Sequence, residues 1–124
     1  MDLNQITLPC LNIDVTIEFF RKMGFRAIVV DEHYARFESL EGDATFSIHK
    51  VEKTHETNVI IYFECKNLDA KVSELTEKGF QFESQVTDQP WLWREAMLRD
   101  PSGNQICLYY AGENRKNPPW RTKD

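Results

Sequence analysis

The stretch Asn12-Ile13-Asp14, followed further along the chain by Gly24-Phe25, decides the fold because the chain contains this pattern twice. Asn67-Leu68-Asp69 and Gly79-Phe80 repeat it at a constant offset of 55 residues. In each copy the aspartate begins a helix and the glycine ends it, since glycine accepts the left-handed backbone of a helix C-cap. The sequence therefore predicts two equivalent modules, each with one helix.

The residues around each helix predict strands. Residues 4–10 and 59–65 alternate apolar and polar side chains, which is the period of a half-buried strand. Further strand-like runs, separated by turn residues, follow the helices at 26–30, 34–39 and 45–51, then at 81–86, 95–99 and 105–110. Each module therefore has the order strand, helix and three strands, which makes the fold class α+β with two tandem βαβββ modules.

Length and composition favour a single globular domain over 1–124, with modules near 1–55 and 56–112 and a polar tail at 113–124. The chain has 41% hydrophobic and 12% aromatic residues, enough for a real core. Its formal net charge of −5 disfavours binding to nucleic acids and to anionic membrane surfaces. The absence of a signal-peptide or membrane-spanning pattern and the odd number of cysteines, 3, lead us to expect a cytoplasmic protein with free thiols.

Three stretches resemble a known family, the glyoxalase/bleomycin resistance/dioxygenase superfamily, also called vicinal oxygen chelate proteins. The repeated segment Asn12-Ile13-Asp14 to Gly24-Phe25 resembles the helix that opens the family's first module. Residues 100–104, DPSGN, resemble its last hairpin, and residues 88–95, DQPWLWRE, are similar to the DQPWG-x-RE stretch of bleomycin-resistance-type members. The resemblance implies mixed sheets that curve into a cup with the helices outside, and a homodimer with two-fold symmetry.

The resemblance also implies where the family's enzymes hold a divalent metal, on the first and last strand of each module. Strand period and the 55-residue offset pair Gln5 with Ile60. The resemblance implies His49 and Cys107 as the other two positions, because Ile48-His49-Lys50 and Ile106-Cys107-Leu108 line up as the family's ligand-bearing triplets, which makes these two residues equivalents. Ile60 has no donor atom and Gln5 is a weak neutral ligand, whereas a catalytic zinc normally has three protein ligands. We therefore predict no metal or other cofactor. The alternative is a metal-dependent lyase or dioxygenase of the glyoxalase type, with His49 and a partner in a shifted register.

The remaining candidates are side chains expected to face the cup. The predicted ligand-binding residues are Gln5, Thr7, His49, Tyr62, Glu64, Trp91, Trp93, Arg94, Cys107 and Tyr109. Aromatic side chains suit stacking on a planar ligand, and a carboxylate favours a cationic one. We predict a metal-free protein that sequesters a cationic or aromatic antibiotic or metabolite, with no catalytic residue identified. In the other interpretation the two tryptophans only cover the sheet, and the protein is a dimeric interaction domain without a ligand.

Overall fold

The computed structural model describes residues 1–123, which form two compact units. The first unit contains residues 1–59 together with 100–104, and the second contains 60–99 and the chain from residue 105 onward. The first unit contains β1 (Gln5–Cys10), α1 (Ile13–Met23), β2 (Arg26–Val30), β3 (Tyr34–Glu38) and β4 (Thr45–Lys50). The second contains β5 (Ile60–Glu64), α2 (Leu68–Glu77), β6 (Thr87–Asp88), β7 (Arg94–Arg99), β8 (Gln105–Tyr110) and a short 3-10 helix (Gly112–Arg115).

Both units contain the same four-stranded mixed sheet. The strand order is β1-β4-β3-β2 in the first unit and β5-β8-β7-β6 in the second. In each sheet the first and last strands of the module pair in parallel, and the other pairs are antiparallel. The predicted α+β fold class with two βαβββ modules is therefore confirmed.

The repeated glycines end both helices in the same way. Gly24 has φ 116° and Gly79 has φ 98°, in the left-handed region that favours glycine. The next residue in each copy donates its N–H to a carbonyl five residues back, Phe25 to Phe20 at 3.1 Å and Phe80 to Leu75 at 3.0 Å. Asn12 caps the start of α1 by accepting the Val15 N–H at 3.1 Å, so the helix begins one residue before the predicted aspartate.

Each helix covers one face of its own sheet. In the first unit Phe20 of α1 packs on Phe37 and Phe46, with ring centroids 5.5 and 4.9 Å away. In the second unit Leu75 of α2 is fully buried, as are Ile106 and Leu98 on the strands. Because side chains alternate along a strand, the intervening residues lie on the sheet face away from the helix. Apart from Arg94, the candidate site residues that belong to strands are found on that face.

One predicted strand is wrong. Residues 81–86 contain only an isolated bridge between Phe82 and Leu98, and the strand β6 lies later, at Thr87–Asp88. Only Phe82 and Val86 of this run are even partly buried, so it has too few inward side chains to hold it along the sheet. Within residues 1–123, no helix is long and apolar enough to cross a membrane.

Candidate ligand-binding site

The strand register defines which positions of the two modules are equivalent. Gln5 lies opposite Thr45 in the first sheet, and Ile60 lies opposite Gln105 in the second. Counting two residues along each last strand makes Ser47 the equivalent of Cys107. The predicted equivalence of His49 and Cys107 is therefore wrong by two residues, and His49 corresponds to Tyr109.

Three aromatic side chains form a cluster on the face of the second sheet away from α2. This aromatic cluster consists of Tyr62 on β5, Trp93 immediately before β7, and Tyr109 on β8. Trp93 stacks on Tyr109 with ring centroids 4.7 Å apart, and the edge of Tyr62 meets Trp93 at 5.8 Å and Tyr109 at 5.4 Å. Tyr109 is buried and Trp93 half-buried, but Tyr62 is 44% exposed. The cluster thus offers a partly solvent-facing aromatic surface.

A buried thiol and a buried carboxylate lie beside this cluster. Cys107 is fully buried, and its Sγ donates to Oε2 of Glu95 at 3.6 Å. Burial, together with the nearby negative charge of Glu95, raises the pKa of Cys107 to about 12. Cys107 is therefore a protonated thiol at neutral pH and a poor nucleophile.

The two tyrosines of the cluster also hold their protons firmly. Burial raises the pKa of Tyr62, with further contributions from Cys107 and Glu95. Burial likewise raises the pKa of Tyr109, with Glu64 as the next contribution. Both rings are neutral phenols at physiological pH, so they keep the electron-rich faces of uncharged aromatic groups.

Glu64 holds the chain after β8. Its Oε2 accepts the N–H groups of Ala111 and Gly112, each at 2.9 Å, and its Oε1 lies 4.0 Å from Nε of Arg115. The carboxylate thereby caps the start of the 3-10 helix Gly112–Arg115. A predicted ligand-binding residue thus has a clear structural task, and its contact with a ligand stays a prediction.

Arg94 lies on the opposite sheet face from its neighbour Glu95. Its guanidinium donates to both carboxylate oxygens of Asp69, at 2.8 and 3.1 Å, and to Asp88 at 3.0 Å. These two carboxylates raise the pKa of Arg94 and keep it charged. Arg94 therefore joins the start of α2 to the hairpin, and its predicted role as a ligand contact is untested.

The turn between β6 and β7 positions Trp93. Gln89 donates its N–H to the Trp93 carbonyl at 2.7 Å, and Leu92 donates to Gln89 at 3.0 Å, which closes a tight turn. Leu92 adopts φ 68°, a left-handed backbone that is costly for a leucine. Trp91 at the tip is exposed, whereas Trp93 folds back onto the sheet.

The corresponding face of the first sheet is polar. The buried Ser47 hydroxyl accepts from Nε2 of Gln5 at 2.8 Å and lies 2.5 Å from the Tyr34 hydroxyl. Arg36 Nε donates to the same Tyr34 oxygen at 3.0 Å, and Thr45 donates to Gln5 Oε1. The bond to Ser47 and the nearby guanidinium lower the pKa of Tyr34. Gln5 is thus engaged within a hydrogen-bonded network.

Thr7 and His49 lie on the same face of the first sheet, and both side chains are exposed. Tyr34 and Arg36 lie on the same sheet face as these residues, and Glu95 lies on the face of the aromatic cluster, but none of the three is among the predicted ligand-binding residues. The signal for the first two was the alternation of residues 34–38, where polar Tyr34 and Arg36 are interleaved with the buried Ala35 and Phe37.

The residues at the family's metal positions do not fit a metal. Ile60 offers no donor, Gln5 is committed to Ser47 and Thr45, and Cys107 keeps its proton. Across the described part of the chain, residues 1–123, no three His, Cys, Asp or Glu side chains converge as metal ligands would. The chemistry of this donor set supports ligand contacts through hydrogen bonds and aromatic faces.

A family model described as Glyoxalase/Bleomycin resistance protein/Dioxygenase superfamily matches residues 2–108. The chain belongs to this superfamily. No curated protein sequence matches it significantly.

Solved structures share the fold over most of the chain. A bleomycin-binding protein complexed with bleomycin is 19% identical, with a TM-score of 0.74, covering 89% of this chain and 98% of that one. A bleomycin resistance determinant encoded on the transposon Tn5 is 19% identical, with a TM-score of 0.75 and the same coverage of 89% and 98%. An integron cassette protein from the mobile metagenome of the Halifax Harbour sewage outfall is 14% identical, with a TM-score of 0.77, covering 88% and 97%.

Proposed function

We propose that this protein binds a small organic molecule with an aromatic surface, an antibiotic or metabolite, and that it does so without a protein-held metal. The observation that carries the proposal is the aromatic cluster of Tyr62, Trp93 and Tyr109. Its rings are ordered by mutual contact and yet partly open to solvent, which is the arrangement that stacks on a planar ligand at little entropic cost.

The comparisons support this proposal at the level of the fold. The bleomycin-binding protein that shares the fold was solved with a small molecule bound. A shared fold does not establish a shared function. The name of this superfamily itself includes enzymes, the glyoxalases and the dioxygenases. The proposal therefore depends mainly on the aromatic cluster, and on the poor metal donors at Ile60 and Gln5.

Tryptophan fluorescence tests the proposal directly. Titration with bleomycin and with simple phenols such as 4-tert-butylphenol is expected to change the emission of the wild-type protein. Trp93→Ala should weaken binding about tenfold, because it removes the stacked ring. Tyr62→Ala offers a second test at a more exposed position, and Trp120→Ala, at an exposed position in the tail, is the control that should bind normally. If none of the probes binds, or if both cluster variants bind as tightly as the wild type, the proposal is wrong.

Metal independence is tested with the same phenol probe. Protein treated with EDTA is expected to bind 4-tert-butylphenol with unchanged affinity. A stoichiometric metal that restores binding, and that is lost in His49→Ala, would instead establish the metal-dependent alternative.

A further inference from the structure

We propose that Glu95 is the anionic anchor of the aromatic cluster, and that it restricts the bound ligand to organic cations such as alkylated ammonium groups. This inference rests on the proposed function and names the chemical class of the ligand. It adds a specificity-determining residue that lies outside the family's metal positions.

Glu95 is a buried carboxylate without a counter-charge. Glu95 is only 9% exposed. Its carboxylate accepts a hydrogen bond from the neutral thiol of Cys107. Among residues 1–123, no Lys, Arg or His pairs with it. A buried carboxylate is costly unless a cation compensates it.

Three other carboxylates of the second unit show the contrast. Glu64 lies 4.0 Å from Arg115, and Asp69 and Asp88 both pair with Arg94. These groups are neutralised within the chain, and all three are more exposed than Glu95. Glu95 differs from these three because it is buried and has no cationic partner among residues 1–123, and it lies on the same strand face as the aromatic cluster.

The surrounding rings complete a cation site. Glu95 lies directly opposite Tyr109 across the β7–β8 pair, and its charge contributes to the raised pKa of Tyr62. The faces of neutral Tyr and Trp rings attract cations, most strongly where water is excluded. One carboxylate with several rings suits an alkylated ammonium, whose alkyl groups pack on the rings. A hard metal ion such as Mg²⁺ or Ca²⁺ would require more oxygen ligands than this site supplies.

A matched pair of probes separates charge from shape. (4-Hydroxyphenyl)trimethylammonium carries a permanent positive charge, and 4-tert-butylphenol is its neutral isostere. The wild-type protein is expected to bind the cation at least about tenfold more tightly. Glu95→Gln should abolish that preference and change the affinity for the neutral probe less than about twofold. Glu74→Gln is the control, because it makes the same change of net charge at an exposed position on α2.

The outcomes distinguish this inference from the proposed function. If both probes bind equally well to the wild type, or if Glu95→Gln weakens both equally, Glu95 is no cation anchor although the aromatic site stands. If neither probe nor bleomycin binds at all, the proposed function itself fails. Should Glu95→Gln not fold, as judged by circular dichroism, equal binding of the two probes by the wild type would still overturn the inference.

Discussion

Two pairs of side chains at equivalent positions show how the modules have diverged. Ser47 contacts Tyr34 in the first unit, and Cys107 contacts Glu95 in the second. The strand register makes Ser47 equivalent to Cys107. It also makes Tyr34 equivalent to Glu95, because Tyr34 lies opposite His49 and Glu95 lies opposite Tyr109. A neutral hydrogen-bonded pair in one copy has thus become a thiol and a carboxylate in the other. The difference places a carboxylate beside the aromatic rings of the second unit, at the position where the first unit has the phenol of Tyr34.

The sequence alone does not separate the roles of Arg94 and Glu95, for a simple geometric reason. Arg94 and Glu95 are adjacent and of opposite charge, which suggests an exposed ion pair. In a strand, however, neighbouring side chains point to opposite faces. Arg94 therefore reaches Asp69 at the start of α2, while Glu95 is buried next to Cys107. The structure brings Tyr62, Trp93 and Tyr109 together in one cluster, and their contact with a ligand stays a prediction.

Replacing Leu92 by glycine is expected to stabilise the protein. Leu92 has φ 68°, where a side chain costs about 1 kcal/mol that glycine does not incur. Leu92→Ala is the matched control, because it removes the same exposed side chain but keeps the strained backbone. In thermal or urea unfolding, Leu92→Gly should be more stable than Leu92→Ala by about 1 kcal/mol, less the small entropic loss of glycine in the unfolded chain. Equal stabilities would show that the turn stores no such strain.

At the scale of elements, the duplicated helices were predictable and the later strands less so. The glycines at 24 and 79 mark helix ends by a local backbone requirement, and that requirement is readable in the sequence. The strand after α2 depends on pairing with β7 instead, and pairing partners do not show in local alternation. The misassigned equivalence of His49 has the same cause. The modules are offset by 55 residues at Gln5 and Ile60 but by 60 at Thr45 and Gln105, and only the parallel register shows the difference.

Removing the Glu64 carboxylate is expected to loosen the segment after β8. Its oxygen holds the N–H groups of Ala111 and Gly112, and bonds of this kind to a charged acceptor are worth about 1.5–3 kcal/mol before discount for partial exposure. Glu64→Ala should therefore lower stability by about 1–2 kcal/mol and speed amide hydrogen exchange at both N–H groups. Glu64→Gln keeps an accepting oxygen and should cost less. If the Ala111 and Gly112 amides exchange in Glu64→Ala at the same rate as in the wild type, this assignment is wrong.

For the whole molecule, the repeat explains why one short motif predicts so much. Once one copy is recognised as strand, helix and three strands, the second copy is constrained to the same order, and both sheets indeed have the first strand parallel to the last. The charged and aromatic character of each sheet's other face is not constrained by the repeat. It depends on single residues such as Arg36 and Glu95, which duplication leaves free to change. This is why the family can be recognised from the sequence pattern, whereas a proposal about the ligand depends on side-chain contacts.

The stability of the whole protein is expected to fall steeply as pH rises above 9. Burial raises the pKa of Cys107 from 9.0 to about 12 and also raises the pKa of Cys10, Tyr62 and Tyr109. The folded state therefore keeps protons that the unfolded chain has already lost, so the free energy of unfolding decreases as pH rises. For each such proton the decrease is about 1.4 kcal/mol per pH unit between the pKa of the unfolded chain and that of the folded protein. The lowered pKa of Tyr34 acts in the opposite sense.

Cys107→Ser isolates the largest of these effects. A serine hydroxyl does not titrate in this range, so urea unfolding of the variant between pH 8 and pH 11 should show a shallower loss of stability than the wild type. Cys10→Ser should also reduce the slope, because Cys10 is buried in the first unit. The assignment predicts that the wild-type and Cys107→Ser curves diverge from about pH 8 upward, where an unfolded thiol begins to lose its proton. Parallel curves across the range would mean that Cys107 does not hold its proton more strongly in the folded protein.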